Sequence, residues 1–331
     1  MRYDASLVGI ILMKRVLCAA ALSILAAAPA QAEKCSLPLV ASLDLTPLSS
    51  GTYSIPVSVG GVERKFELGL NKPFSAITGT LADSLGYESV KLSRNLEPRL
   101  GAEKVERRVI VGDLAVGLSH GKDFQMLRSD TNVAERGVDG VAGLDLLQNY
   151  DVELDLKARK LKLFSPNDCQ NKAYWSSSLA ETKFTADLSG HIEFAMTLDS
   201  RKVTVDFDVS EGAAVMGTNT LKRLFDLTPQ SPGMVAEMHG TTPYWHYPFT
   251  SLSMEGIAIN NPHIVILQQD GPECRHQFHA VGGRMMQCFG ASDLLLRSRE
   301  LRQLHLYFDF KHKVLYATAA DASMPETEPA K

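Results

Sequence analysis

Hydrophobic and polar positions follow the spacing of β-strands over most of the chain after residue 40. Short runs of β-branched and apolar residues are separated by Gly, Pro, Asn and Asp, which are typical turn residues. The clearest predicted strands are residues 53–59, 107–111, 152–156, 160–164, 193–198, 202–207, 305–310 and 313–317. Helical spacing is limited to residues 80–85, 144–149, 218–225 and 291–297. The pattern therefore predicts a mostly-β protein with a few short helices.

The same order of predicted elements occurs twice along the chain. Residues 55–86 run through strand, tight turn, strand, loop and short helix, and residues 192–225 repeat that order. Residues 141–147 then precede two strands, and residues 288–295 are their counterpart before the last two strands. The repeat predicts two similar lobes within one chain.

The predicted lobes span residues 33–166 and 185–319, and a polar linker joins them over residues 167–184. The end of the chain, residues 320–331, is predicted to be a disordered tail because it is polar and contains proline and acidic residues.

The start of the chain has the pattern of a secretory signal peptide. Lys14 and Arg15 precede a short apolar run, and an Ala-x-Ala sequence ends at Ala32. We expect cleavage after Ala32, with Met1 or Met13 as the initiator. No later segment reaches the roughly 18 apolar residues of a membrane span, so the mature chain is predicted to be periplasmic or secreted.

Charge and composition exclude several classes of protein. The chain has 34 Lys plus Arg against 38 Asp plus Glu, a net charge of −4, and it lacks the basic runs of a nucleic-acid-binding protein. Its 45% hydrophobic and 22% charged residues are those of a globular chain, not of a disordered or disulfide-dense one.

Export changes the interpretation of the cysteines. Once Cys18 is removed with the signal, Cys35, Cys169, Cys274 and Cys288 remain, an even number in an oxidising compartment. Three pairings exist. The short loop between Cys274 and Cys288 favours that pair, which leaves Cys35 with Cys169.

A zinc site is the alternative for the second pair. Cys274, His276, His279 and Cys288 supply four donors, but their spacing matches no common zinc motif. We therefore predict disulfides, and neither a metal nor another cofactor.

One motif resembles a known family. Residues 139–147, Asp-Gly-Val-Ala-Gly-Leu-Asp-Leu-Leu, are followed by a strand over residues 150–155. This resembles the aspartic-peptidase superfamily, specifically exported two-lobed bacterial proteins of retropepsin-like or pepsin-like type. The resemblance implies an all-β, two-lobed acid-protease-like fold in which each lobe is a retropepsin-like β-barrel with short helices. It also implies a monomer, because both halves are present in one chain.

The loops that should carry the catalytic Asp-Thr-Gly sequences depart from this family. In the first lobe the alignment places Gly69 at the aspartate, Leu70 at the threonine and Asn71 at the glycine. In the second lobe it places Asp208 at the aspartate, Val209 at the threonine and Ser210 at the glycine. Asp208 is therefore the one catalytic candidate, and the candidate ligand-binding positions are Leu70, Asn71, Val209 and Ser210.

The missing carboxylate affects the expected activity. The family hydrolyses peptides with two carboxylates that share one proton, one acting as general base and the other as general acid. We expect a catalytically degenerate protein that binds a peptide or another ligand in the cleft between the lobes. The alternatives are an active endopeptidase that activates water at Asp208, and a structural envelope protein that uses the fold as a scaffold.

Other polar and aromatic residues are weaker candidates. Glu67 and Asp206 lie two positions before the aligned aspartate sites, where we expect solvent-facing acids or local salt bridges. Tyr244 and Trp245 fall where the flap hairpin of the second lobe should lie, either binding a peptide or packing in a local cluster.

The acids beside the repeated apolar strands are expected to serve structure. Asp139, Asp145 and Asp293 lie next to these strands, and we predict that they form turns or begin helices.

Overall fold

Hydrogen-bonded strands dominate a computed structural model of the chain, as the alternating pattern predicts. The structure describes residues 36–93, 98–100, 103–169, 174–176, 178–186, 190–269, 274–275, 289–290 and 292–320. All the described residues belong to one compact unit by their contacts. The fold is mostly β, with two mixed sheets that form two lobes.

The first half contains fifteen of the described strands and three short helices. The strands are β1 (Leu39–Asp44), β2 (Thr46–Pro47), β3 (Tyr53–Val59), β4 (Val62–Gly69), β5 (Ala76–Thr78), β6 (Ser89–Lys91), β7 (Arg99–Leu100), β8 (Glu103–Lys104), β9 (Arg107–Val111), β10 (Leu114–Val116), β11 (Ser119–Gly121), β12 (Phe124–Ser129), β13 (Gly140–Gly143), β14 (Asp151–Asp155) and β15 (Lys160–Phe164). The helices are α1 (Gly79–Ser84), α2 (Asn132–Glu135) and α3 (Leu144–Leu147).

The second half repeats this mixture of strands and short helices. Its described strands are β16 (Ala180–Ala186), β17 (Ile192–Leu198), β18 (Arg201–Phe207), β19 (Ala214–Gly217), β20 (Val235–His239), β21 (Thr242–His246), β22 (Ser251–Met254), β23 (Ile257–Asn260), β24 (Ile264–Leu267), β25 (Cys274–Arg275), β26 (Phe289–Gly290), β27 (Leu294–Leu296), β28 (Leu304–Asp309) and β29 (Val314–Ala319). Its helices are α4 (Thr218–Phe225) and α5 (Ser298–Leu301).

A ten-stranded sheet forms the first lobe, in the order β11-β10-β3-β4-β13-β5-β12-β9-β6, with β2 paired to β3. The second lobe belongs to a fifteen-stranded sheet, whose part β16-β17-β18-β27-β19-β24-β21-β20 has the corresponding arrangement. In each lobe a central strand pairs in parallel with the strand that carries the site loop: β13 with β4, and β27 with β18.

The two halves meet in the middle of the larger sheet. Three strands from each half lie in the order β1-β15-β14-β28-β29-β16, and β14 pairs antiparallel with β28 so that Val152 lies opposite Phe308. Alternate residues of these strands, among them Leu154 and Leu306, are buried in a hydrophobic core that includes residues of both halves. The lobes are thus joined by backbone pairing and by shared apolar burial.

The connection between the halves differs from the predicted linker. Strand β16 begins at Ala180, inside the predicted linker segment 167–184. Before it, Trp175 is 6% exposed, and its indole nitrogen donates to Thr318 Oγ1 at 2.9 Å. Part of the predicted linker is therefore a structural element of the shared sheet and its covering cluster.

One predicted helix is wrong. Residues 291–297 were expected to be helical, but Leu294–Leu296 form β27 between β18 and β19, and the helix follows at Ser298–Leu301. A run of three leucines fits a fully buried strand as well as a helix turn, and periodicity cannot separate the two. The predicted helix over residues 218–225 is confirmed as α4.

No helix within the described ranges has the length and apolar character needed to cross a membrane.

Candidate functional site

The pairing of strands shows which residues of the two site loops are equivalent. In the first lobe Phe66 pairs with Gly140 and Gly69 with Gly143. In the second lobe Phe207 pairs with Leu296, so the next position along places Asp208 beside Arg297.

Two aspartates make the same contacts in both lobes and confirm this register. The backbone amide of Lys65 donates to Asp139 Oδ2 at 3.1 Å, and that of Thr204 donates to Asp293 Oδ2 at 2.7 Å. The amides of both aspartates return a hydrogen bond of 2.8 Å to the carbonyls of those same residues. Gly69, four residues after Lys65, is therefore the counterpart of Asp208, four residues after Thr204.

The structure corrects one part of the predicted repeat. The sequence alignment matched residues 288–295 with residues 141–147, whereas strand pairing matches residues 293–297 with residues 139–143. Asp139 and Asp293 accept backbone amides of a neighbouring strand, so they fix strand ends. Asp145 lies in the first turn of α3, as predicted for a helix-start acid.

Asp208 follows β18 and is half-buried. Its Oδ1 accepts the backbone amide of Ser210 at 2.9 Å, and its Oδ2 accepts the Ser210 hydroxyl at 2.6 Å. Within the described residues, the hydrogen bonds to the Asp208 carboxylate both come from Ser210, and neither comes from a second carboxyl group. A carboxylate bound in this way is held in one orientation, with acceptor capacity left for a ligand or a water molecule.

Arg297 supports this serine and was missed by sequence reasoning. Its Nε and Nη2 atoms donate to Ser210 Oγ at 3.2 and 2.7 Å. Arg297 occupies the position that Gly143 holds in the first lobe, so the second lobe has a guanidinium where the first lobe has a glycine. A sequence match that aligns Arg297 with Gly143 was available, because Asp-Leu-Leu-Leu at residues 293–296 parallels Asp-Gly-Val-Ala at residues 139–142.

Gly69 is buried at the end of β4 and has no room for a side chain. A β-carbon built there would lie 2.9 Å from Val141 Cγ1 and 3.0 Å from the carbonyl oxygen of Ala142. The second of these neighbours is backbone in the central strand β13, which cannot move without disturbing its pairing. The first lobe therefore has no carboxylate at this position, and Val141 and the Ala142 carbonyl occupy the space next to it.

The candidate binding positions that follow Gly69 and Asp208 differ in exposure. Leu70 and Val209 are 0% and 1% exposed and belong to the hydrophobic core, so these two side chains pack and offer no surface to a ligand. Asn71 and Ser210 are half-buried at equivalent places in the two loops. For Asn71 and Ser210 the binding role stays a prediction.

The acids two residues earlier are not solvent-facing. Glu67 is 1% and Asp206 is 4% exposed. Glu67 accepts Lys72 Nζ at 2.8 Å and Arg136 Nη1 at 2.6 Å, and Asp206 lies 2.5 Å from His191 Nδ1. The predicted local salt bridges are therefore confirmed and the predicted solvent exposure is wrong, because these strand ends are covered on both sides.

The two cations determine the protonation of Glu67. Burial by itself would raise the pKa of Glu67, but Lys72 and Arg136 together outweigh it and hold the pKa below its usual value. Glu67 is thus a buried anion paired with two cations, as expected for a structural salt bridge.

A second pair of acids, half-buried Asp145 and buried Glu300, holds the far end of each loop. Asp145 Oδ1 accepts the amide and hydroxyl of Ser75 at 2.8 and 2.7 Å, and Glu300 Oε2 accepts the amide of Ala214 at 2.8 Å. Burial raises the pKa of both carboxyl groups. They anchor the point where each loop enters its next strand.

Each lobe contacts the loop of the other lobe through a glycine. The amide of Glu211 donates to the carbonyl of Gly51 at 2.5 Å. A β-carbon on Gly190, which has φ of +87°, would lie 2.5 Å from the nitrogen of Pro73. These close approaches bring the two site loops towards the junction of the lobes.

The predicted flap hairpin of the second lobe is present as β20 and β21, joined by Gly240 and Thr241. Tyr244 is half-exposed, and its hydroxyl donates to Glu237 Oε2 at 2.5 Å. Trp245, on the opposite face of β21, packs against the hydrophobic core. Trp245 therefore fits the packed-cluster alternative, while ligand binding by Tyr244 stays a prediction.

The cysteine predictions are tested only in part. Cys169 is disulfide-bonded, and its predicted partner Cys35 lies outside the described residues. For the other pair, the backbone of Cys274 pairs with Gly290, while Cys288 and the two histidines of the alternative zinc site also lie outside the described residues. Among the residues that are described, no group of three or more His, Cys, Asp or Glu could hold a metal.

Comparison with known proteins shows similarity of structure but not of sequence. Neither family models nor curated proteins match the chain. Among solved structures, the aspartic proteinase from Irpex lacteus aligns with 87% of this chain and 99% of its own, at 10% identity and a TM-score of 0.52.

Two seed globulins also align. Basic 7S globulin from soybean covers 87% of this chain and 100% of its own length at 13% identity and a TM-score of 0.48. Conglutin gamma, a basic 7S globulin from lupine seeds, covers 86% and 95% at 12% identity and a TM-score of 0.47. With its two lobes, its shared central sheet and its paired site loops, the chain has the pepsin-like aspartic proteinase fold.

Proposed function

We propose that the chain is an exported pepsin-like protein that does not hydrolyse peptides as an aspartic proteinase and that binds a peptide or another ligand in the cleft between its lobes. The observation that carries this proposal is Gly69. It stands at the position equivalent to Asp208, is buried, and has Val141 and the Ala142 carbonyl where a carboxylate side chain would begin.

The chemistry of the family supports a loss of hydrolysis. Two carboxylates close together share a proton, so that one activates water while the other protonates the leaving amine or polarises the carbonyl. Asp208 without a partner can orient a water molecule but cannot divide these two tasks. Loss of one acid–base group costs about 10²- to 10⁴-fold in rate.

Retention of the second loop supports a binding role. Ser210 and Arg297 hold the Asp208 carboxylate in a defined, half-buried position. A fixed carboxylate and hydroxyl with unused acceptor capacity can orient polar groups of a ligand. An active aspartic endopeptidase that activates water at Asp208 is the competing function.

The test is hydrolysis by the purified mature chain. Wild type, Asp208→Ala and the exposed control Asp44→Ala are incubated with denatured casein and a peptide library from pH 3 to pH 7. We expect no cleavage above the level of Asp208→Ala in any sample. Cleavage by wild type and Asp44→Ala that is abolished by Asp208→Ala and by pepstatin-type inhibitors would establish the competing function.

Ligand binding is measured on the same samples. Peptides retained by wild type but released by Asp208→Ala would support the cleft as the binding site. If wild type shows no cleavage and retains no peptide, the structural-scaffold alternative is favoured.

Export is part of the proposal and rests on the pattern of residues 1–32. We expect the protein isolated from the cell envelope or the medium to begin at Glu33. Intact-mass measurement of a product that retains residues 13–32 would contradict it.

A further inference from the structure

As far as the described residues show, the β20 strand of the second lobe lies at one end of the fifteen-stranded sheet, with β1 at the other end. All five of its residues are exposed, including Val235 at 56% and Met238 at 60%. Within the described residues, β20 pairs only with β21. An edge of this kind is a template for a further strand. β20 carries neither a proline nor a lysine, and Glu237 is its one acidic residue.

The turn of the hairpin determines which backbone groups face outward. Gly240 and Thr241 form a two-residue turn with φ of +61° at Gly240, and His239 pairs with Thr242 beside it. In a hairpin of this type the pair next to the turn is hydrogen-bonded, and hydrogen-bonded pairs alternate along the ladder. The amide and carbonyl groups of Ala236 and Met238 therefore point away from β21, towards an added strand.

A pocket lies on one face of the same hairpin. It has a volume of about 280 Å³, and Val235 and its cross-strand partner His246 are among its walls. The other lining residues are mostly aromatic, proline or aliphatic: Gly233, Tyr247, Pro248, Phe249, Asn261, Pro262, His263 and Ile264. Burial, followed by the charge of Arg299, lowers the pKa of His263. None of the lining residues is Lys, Arg, Asp or Glu, so the pocket suits an aromatic side chain.

Glu237 supplies the charge on this face. It lies two residues after Val235, so both side chains project from the same face of β20. Its side chain is 48% exposed, with its carboxylate 3.6 Å from His246 Nε2. On an added strand, the side chains opposite Val235 and Glu237 would also be two residues apart and on that face. The first would lie at the rim of the pocket and the second would face a carboxylate.

We propose that β20 is a docking edge for an extended segment of another polypeptide, which adds as a further strand and places an aromatic residue at the pocket and a lysine or arginine opposite Glu237. Backbone bonds to Ala236 and Met238 give affinity, and the two side chains give selectivity. The site lies on the hairpin and not on the loops of Gly69 and Asp208, so it does not depend on the function proposed for the cleft.

A second copy of the chain fits this edge less well. The register that overlaps the whole of β20 with itself centres on Glu237 and places the two carboxylates directly opposite each other, which is destabilising. The charge therefore favours a partner with a basic residue.

The test uses a fluorescent, N-acetylated and C-amidated heptapeptide, Thr-Lys-Thr-Phe-Thr-Lys-Thr, whose two lysines serve both strand directions. Binding to the mature chain is followed by anisotropy. Met238→Pro removes an outward amide without removing a bond to β21, and Met238→Ala is the matched control that keeps the amide. Circular dichroism checks that both variants fold.

We expect Met238→Pro to weaken binding by about 3- to 10-fold relative to Met238→Ala, the effect of one lost backbone hydrogen bond. In an antiparallel addition with Phe opposite Val235, a threonine beside Phe lies opposite Ala236. Methylating the amides of these threonines therefore removes a bond to Ala236 without altering the protein and should weaken binding by at least a similar factor. Glu237→Gln, or glutamate in place of both lysines in the peptide, should weaken it by about 2- to 5-fold or more.

Three results would overturn the proposal. They are no binding of the peptide by wild type, equal binding by wild type and Met238→Pro together with no effect of methylation, and a concentration-dependent dimer that Met238→Pro disrupts. The third result would identify a second copy as the occupant. Casein cleavage by wild type would overturn the proposed function of the cleft and leave this result unaffected.

Discussion

The first-lobe loop (residues 69–75) and the second-lobe loop (residues 208–214) have the same length and equivalent places, but they are held differently. In the first-lobe loop the amide of Lys72 donates to the carbonyl of Gly69 at 2.9 Å, so the loop closes on itself. In the second-lobe loop the equivalent amide, that of Glu211, donates instead to Gly51 in the first lobe at 2.5 Å.

The residues below the loops explain the difference. A β-carbon on Gly143 would lie 2.4 to 2.7 Å from backbone atoms of Phe74 and Ser75, so the first-lobe loop sits directly on its glycine. In the second lobe Arg297 occupies that place, and its side chain supports the loop by binding Ser210. The first lobe has a glycine at both positions, Gly69 and Gly143, whereas the second lobe has Asp208 and Arg297 there.

The largest effect on stability is expected from replacing the buried acids that precede the two loops, Glu67 and Asp206. Glu67→Ala leaves Lys72 and Arg136 close together without their shared anion, which should lower the free energy of unfolding by about 3–5 kcal/mol. Asp206→Ala should cost only about 1–2 kcal/mol, because its partner His191 can stay neutral. Urea unfolding at pH 7 measures both, with exposed Glu63→Ala on the same strand β4 as the control.

The stabilising effect of Glu67 depends on pH, and the direction of that dependence can be predicted. Because the pKa of folded Glu67 lies below its unfolded value of about 4.5, its stabilising contribution is complete above that pH and is lost as the pH falls through the folded pKa. The difference between wild type and Glu67→Ala should therefore narrow below pH 4.5. A constant difference down to pH 2 would show that the cost comes from packing and not from charge.

An intermediate effect tests the crowding at Gly69. Gly69→Ala inserts a methyl group against Val141 and the Ala142 carbonyl and should cost about 1–3 kcal/mol. Asp208→Ala, at the equivalent and half-buried position, removes hydrogen bonds from Ser210 and should cost about 1 kcal/mol or less. Thermal unfolding of the two variants compares the sites, and equal costs would contradict the conclusion that only the first-lobe position is closed to a side chain.

The smallest effect on stability is expected from replacing Arg297, which holds the second-lobe loop through Ser210. Arg297→Gly gives this lobe the glycine that the first lobe has, and should cost about 1 kcal/mol by freeing Ser210. Faster hydrogen exchange is expected over residues 209–213 and unchanged exchange over residues 70–75. Arg299→Gly, an exposed neighbour, is the control, and unaltered exchange in the Arg297 variant would show that the guanidinium does not hold the loop.

Sequence reasoning was most accurate where the information is local. The strands over residues 53–59, 107–111 and 160–164 and the helix over residues 218–225 were predicted with the observed bounds. The equivalence of Gly69 and Asp208 was also predicted, because Gly69 ends a strand and Asp208 directly follows a strand of the same pattern. Burial of Glu67 and Asp206 was missed, since a strand pattern alone does not show that both faces are covered.

The sequence by itself determined the strand pattern, the duplication and the absence of one aligned carboxylate, because these depend on residue types and short spacings. Only the tertiary structure decided that Arg297 takes the place of Gly143, that Leu70 and Val209 are core residues, and that β20 is an edge. The physical reason is that register and burial are set by pairing between distant segments, such as Lys65 with Asp139 or Thr204 with Asp293, 74 and 89 residues apart.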